Sequence, residues 1–164
     1  MSMHRKVRFA RVYVAIPLFL AGLLAAPAVL ASVHEPASPV GPYTFGSFDE
    51  CLKRLQEMRS ESLAWSKAPP DVSADRYSER ILTAKAVERL SGRRAGYAET
   101  KVFRNFRAFD ADTLAASSSV EEQHVTCDGR ILTGVSNSWS PLEDFLPRGN
   151  APEGARGITV PGAK

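Results

Sequence analysis

The chain has 164 residues, with 21 Lys+Arg against 18 Asp+Glu and 44% hydrophobic residues. The basic excess sits at the start: Arg5, Lys6, Arg8 and Arg11 have no acidic counterpart in the first 31 residues, and the remainder carries 17 bases against 18 acids. A near-neutral body of this size holds one small domain with one modest core, and it offers no bulk electrostatic case for nucleic-acid binding.

The first residues read as an export signal. A basic stretch precedes residues 12–31, an uncharged and mostly apolar run that closes on small residues. Ala26-Pro27-Ala28 and Val29-Leu30-Ala31 both suit a signal-peptidase site, with cleavage after Ala31 preferred and after Ala28 second. The competing reading is a retained anchor, since 20 residues about span a bilayer as a helix. Pro17 and Pro27 sit badly in such a helix. Both readings put the rest of the chain in the periplasm or outside the cell, and membrane attachment is expected only if the segment is retained. Residues 32–42, with Pro36, Pro39 and Pro42, read as a flexible lead-in, residues 43–146 as the domain, and residues 147–164 as a disordered tail.

Ser47-Phe48-Asp49-Glu50 is a capping box that opens a helix. Phe48, Cys51, Leu52, Leu55, Met58 and Ser62 recur at helical spacing, so they share a face. The helix is expected to reach about Trp65 and to stop before Pro69-Pro70. Residues 80–90 have helix-forming composition, but their apolar residues do not gather on one helical face, so they are read as a strand, with a helix as the alternative. Residues 97–106 are aromatic and β-branched, a second strand, joined to the first by residues 91–96. Residues 110–119 are small and polar, a surface loop. A second hairpin turns at Asp128-Gly129, the strongest short-range hairpin signal in the chain. That turn sets Cys127 opposite Arg130 and Val125 opposite Leu132. It places Cys127, Val125 and Leu132 on the core face, and His124, Glu122, Thr126 and Thr133 on the other. Trp139 is free to fold back over the sheet or helix edge.

Cys51 and Cys127 therefore sit on core faces of two different elements. In an exported chain they are expected to form a disulfide that pins the helix to the hairpin. No Cys-x-x-Cys and no basic or histidine neighbour supports redox chemistry at either.

Catalytic signals are sparse. Outside the signal and the lead-in, His124 is the one histidine, and no second ligand stands at metal spacing, so no metal or cofactor is expected. No nucleophile elbow, phosphate-cradling loop or metalloprotease motif occurs. Arg93, Arg94, Lys101, Arg104 and Arg107, interleaved with Tyr97, Phe103 and Phe106, are candidates for a patch that faces an anionic envelope polymer or an envelope protein. The alternative is a solvated sheet face.

Val125-Thr126-Cys127-Asp128-Gly129-Arg130 resembles the cysteine-bearing strand of small periplasmic lysozyme inhibitors, and Ser91-Gly92-Arg93-Arg94-Ala95-Gly96-Tyr97 is similar to their Ser-Gly…Tyr loop. The two pieces stand in reversed order, and a helix replaces that family's barrel, so no site residue carries over. The expectation is an α+β domain, one N-terminal helix packed on a four-stranded antiparallel sheet and stapled by Cys51–Cys127. Its expected role is non-enzymatic: binding another macromolecule or serving structurally in the envelope. Inhibition of an envelope hydrolase is the alternative, and a small hydrolase built on His124 comes third.

Overall fold

The computed structural model describes residues 33–160. The expected export segment, with its cleavage and anchor alternatives, lies outside the described residues. The four-stranded sheet is corrected to a much larger one. Nine strands form a single antiparallel sheet among the described residues.

The chain enters through β1 (Val33–His34) and β2 (Ser38–Thr44), both paired with β8 (Ile131–Ser140). Of the prolines that suggest a flexible lead-in, Pro39 and Pro42 lie in β2, which among the described residues pairs with β8 alone and so is an edge strand that tolerates proline, and Pro36 lies between β1 and β2. Helix α1 (Phe48–Ser66) follows. The Ser47 hydroxyl accepts from the Glu50 amide at 3.1 Å, as the capping box requires. The Glu50 carboxylate reaches one residue further back, accepting from the Gly46 amide at 2.8 Å.

Next come β3 (Asp71–Val72), β4 (Arg76–Ala84) and β5 (Glu88–Arg89). The strand reading of residues 80–90 holds for its two ends, with a break at residues 85–87. The spine is β6 (Arg94–Ala108) paired over its whole length with β7 (Thr113–Asp128). At about 3.3 Å per residue each spans roughly 50 Å. Of the expected loop at residues 110–119, residues 110–112 do form the β6–β7 turn, and from Thr113 onward the chain is instead the start of β7. Leu114, Ala115 and Ala116 are buried there, whereas Ser117 and Ser119 are exposed.

The β7–β8 turn is displaced by one residue from expectation. Asp128 pairs with Ile131 and Cys127 with Leu132, so Gly129-Arg130 form the two-residue loop. The one positive φ in the loop, +57°, falls on Gly129, so glycine is needed at the first central position only. This displacement moves each β8 partner by two residues and so preserves the facing. Cys127, Val125 and Leu132 do share the core face.

Strand β9 (Asp144–Pro147), a short 3₁₀ turn (Arg148–Asn150) and α2 (Glu153–Arg156) complete the fold. Through residue 160, then, the segment expected to be disordered is packed. Ala151, Ala155 and Ile158 are buried in it.

Side chains alternate across a strand, so odd residues of β6 and β7 share one face, here face A, with even residues of β4 and β8. Helix α1 lies on face A at one end of the spine. Phe48, Cys51 and Leu55 pack there on Ala95, Tyr97, Val125, Cys127 and Leu132. At the other end the core switches to face B. Tyr77, Phe106, Ala108, Leu114 and Ala116 are covered there by Ala151, Ala155 and Ile158. Cys51 and Cys127 are bonded, with their Cα atoms 6.0 Å apart and 76 residues between them in sequence. The staple thus belongs to the face-A core alone.

Candidate functional site

Helix α1 runs past the end of its own core. Its first half is apolar on the buried side, but beyond Leu55 the side chains towards the sheet are Met58, Glu61, Ser62 and Trp65. The sheet beneath them carries Glu99, Lys101, Glu121, Ser136 and Ser138. Polar groups on both sides keep the two layers from closing, and a groove of about 750 Å³ lies between them. Past Arg54, Met58 and Gln123 it passes into a second, more apolar cavity of about 600 Å³, lined by Val40, Tyr43, Phe45 and Leu132. One trough follows the flank of α1 from Trp65 to Phe45.

The floor of the trough holds a buried carboxylate. Glu99 is 5% exposed, on the same strand face as Tyr97 and Lys101. The Tyr97 hydroxyl donates to Glu99 Oε2 at 2.5 Å, and Lys101 Nζ lies 2.9 Å from Oε1. A buried charge needs such partners, and here a phenol and an ammonium supply them. Burial, and then the Glu99 carboxylate, push the Tyr97 hydroxyl well above its ordinary pKa, with Ser62 and Arg59 offsetting part of the rise. On the helix side, Arg54 pairs with Glu61 at 2.8 Å and with Glu57 at 3.5 Å. The Glu61 hydrogen bond raises the Arg54 pKa further. The groove thus presents both charge signs, hydroxyls from Ser136 and Ser138, and the Trp65 and Phe103 rings.

The five basic residues singled out in the sequence are not brought together. Arg93 is in the exposed β5–β6 turn. Arg94 and Arg104 point to face B, Lys101 and Arg107 to face A. Four of them meet carboxylates: Arg94 with Asp128 at 3.5 Å, Lys101 with Glu99, Arg104 with Glu79 at 3.2 Å, and Arg107 with Glu143 through a fork of 2.9 to 3.1 Å contacts. Only Lys101 lines the groove. His124 is exposed on face B, across the sheet from the groove. Trp139 lies within β8 and stacks on His34, ring centroids 5.9 Å apart. Among the described residues no group of three His, Cys, Asp or Glu side chains is placed to hold a metal ion, and no helix is long and apolar enough to cross a membrane.

Glu99, Glu121 and Trp65 carry no site role in the sequence reading, and Tyr97 enters it only as a ring beside the basic candidates. A signal for two of them exists. Tyr97, Glu99 and Lys101 alternate along a strand, so an acid and a base fall on the face that carries a large aromatic side chain. Opposite charges two residues apart on a core-facing strand mark a buried pair. The contribution of α1 could not be read, because it depends on how far the helix overhangs its core. Compared with known families, with curated proteins and with solved structures, the chain matches none.

Proposed function

We propose that the mature chain is an exported, non-enzymatic binding protein that holds an extended polar macromolecule of the cell envelope in the trough along α1. The observation that carries this reading is the trough itself, whose rim and floor are fixed by a disulfide-anchored helix and a long antiparallel ladder. A preformed, rigid site loses little entropy on binding. Four charged groups of the trough are already paired, Glu99 with Tyr97 and Lys101, and Arg54 with Glu61, while among the described residues Glu121 accepts only a hydrogen bond from the Ser136 hydroxyl at 3.3 Å. Groups committed in this way suit recognition better than proton transfer, which needs a free acid or base within reach of substrate. The disulfide fits an oxidising compartment, and hence the periplasm or the exterior.

A second reading, a binder of an envelope hydrolase, is favoured by one feature. The β5–β6 turn is exposed and built on a rigid end: Arg94 N–H donates to Ser91 O at 3.0 Å, and Gly129 N–H donates to Arg93 O at 2.8 Å, tying the turn to its neighbour.

Both readings are tested with Trp139→Phe, which leaves Trp65 as the only tryptophan among the chain's two. Soluble cell-wall fragments should shift Trp65 emission saturably, and Glu121→Ala should weaken that response about tenfold. A lysozyme-type hydrolase that binds, with loss of binding in Arg93→Ala and a silent Trp65, would replace the first reading by the second. No response to either probe would defeat both.

A further inference from the structure

We infer that face A carries a carbohydrate subsite beyond the end of α1, built around Ser78 and Asn105. It deepens the trough reading by naming sugar units as the repeating element of the ligand. Register places Ser78, Asn105 and Ser117 in one row across β4, β6 and β7. The adjacent row sets Arg76 directly opposite Arg107. With Asp71 and Phe103 these residues line a cavity of about 470 Å³.

Two features point to a ligand. Ser78 is 3% exposed and its hydroxyl has no hydrogen-bond partner. A buried, unpaired hydroxyl is uncommon in a folded protein and calls for a partner. Arg76 and Arg107 stand opposite each other as like charges, which is unfavourable across a strand pair. Glu143 holds Arg107, but Arg76 has no ion pair among the described residues.

The ligand class follows from the set of groups. Asp71 and Glu143 offset Arg76 and Arg107, and with Arg80 beside Phe103 the site keeps one positive charge in excess, so hydroxyl and amide groups outnumber unbalanced charge. Serine hydroxyls both donate and accept, the Asn105 amide does both, Arg76 donates in a fork and Asp71 accepts. Such a set matches adjacent hydroxyls, which also donate and accept. Phe103 adds a flat apolar surface, the complement of the C–H face of a pyranose ring. The Arg80 guanidinium lies over one face of the Phe103 ring, 5.5 Å from its centroid, so a sugar must use the other face. Phe103 also lines the main groove, so one chain of sugars passes from one cavity to the other.

N-acetylglucosamine oligomers of increasing length are titrated into the mature protein, following backbone amide resonances and Trp65 emission in the Trp139→Phe background. The expected result is movement of the Ser78, Asn105 and Ser117 amides, with affinity rising at least tenfold from monomer to tetramer. Ser78→Ala should weaken binding about fivefold while leaving the melting temperature equal or higher, since it removes an unpaired hydroxyl. Phe103→Leu should weaken it about tenfold. If Trp65 responds to cell-wall fragments while the Ser78 row stays still, the subsite is wrong and the trough reading stands. If the monomer moves the Ser78 row and Trp65 is silent at every length, the subsite stands and the trough reading fails. If acetate or phosphate moves that row and the sugars do not, the site is an anion site and the inference is overturned.

Discussion

The two cores of this protein stand on opposite faces of the same pair of strands, and they are held by different means. The face-A core joins a nineteen-residue helix to the sheet and is locked by Cys51–Cys127. The face-B core has no covalent tie. Its cover is a four-residue helix and flanking coil, fastened by the Arg148 guanidinium and by Thr159, whose N–H and hydroxyl both donate to Ala74 O. Arg148 donates to the carbonyls of Ala111 (3.0 Å), Asp110 (3.1 Å), Arg156 (3.0 Å) and Ile158. Gly154 lets the cover sit close, since a Cβ there would lie 2.3 Å from the Tyr77 ring. A covalent staple acts mainly on the unfolded chain, whereas a polar clasp acts on the folded one. The first core should therefore be the last part to open, and the second should open by itself.

That contrast can be broken at several points. Replacing both cysteines by alanine removes the tether across 76 residues. A loss of about 4–5 kcal/mol by the chain-entropy relation is expected, read as a lower urea midpoint. An unchanged midpoint would mean the helix holds to face A without help. Arg148→Ala releases four carbonyls, two of them in the cover. Bonds to charged groups are worth about 1.5–3 kcal/mol each but are not additive, so a total near 3 kcal/mol is expected. Cover amides at residues 151–158 should lose exchange protection while α1 keeps its own.

Lys101→Met strips the ammonium from Glu99. Glu99 stays buried and keeps Tyr97, and the lysine is partly exposed, so about 1–2 kcal/mol is expected in the urea midpoint rather than the full cost of an orphaned charge. The smallest effect is in pH. The Tyr97 hydroxyl has a raised pKa in the fold, against an ordinary value of 10.0. Its contribution is whole below about pH 10 and is lost as the pH rises towards the folded value, because the unfolded chain gives up its proton first. The melting temperature should therefore fall on the alkaline side, and Tyr97→Phe should flatten that limb. An identical limb in the variant would place the alkaline sensitivity elsewhere.

The same contrast explains what could be read from the sequence. The face-A core was legible because its signals are local: a capping box at Ser47, apolar residues at helical spacing, and a glycine turn before β8. From these the Cys51–Cys127 bond follows, and the structure contains it. The strand count was underestimated where local signals are absent. Residues 113–119 lack large apolar residues apart from Leu114, and become strand only because β6 and β9 pair with them. Residues 148–158 lack periodicity and are ordered by Arg148, whose partners are all backbone carbonyls with no residue preference. The trough was illegible for a related reason. It is the space left where a helix outruns its core, and it is fixed by the β6–β7 register over fifteen paired positions.

Native-state hydrogen exchange on the oxidised protein in rising urea tests the asymmetry most directly. Amides of residues 151–158 should exchange through a sub-global opening, with a lower free energy and a weaker urea dependence than those of α1. Convergence of both sets on one isotherm from the lowest urea upward would contradict it, and would make the two cores a single cooperative unit.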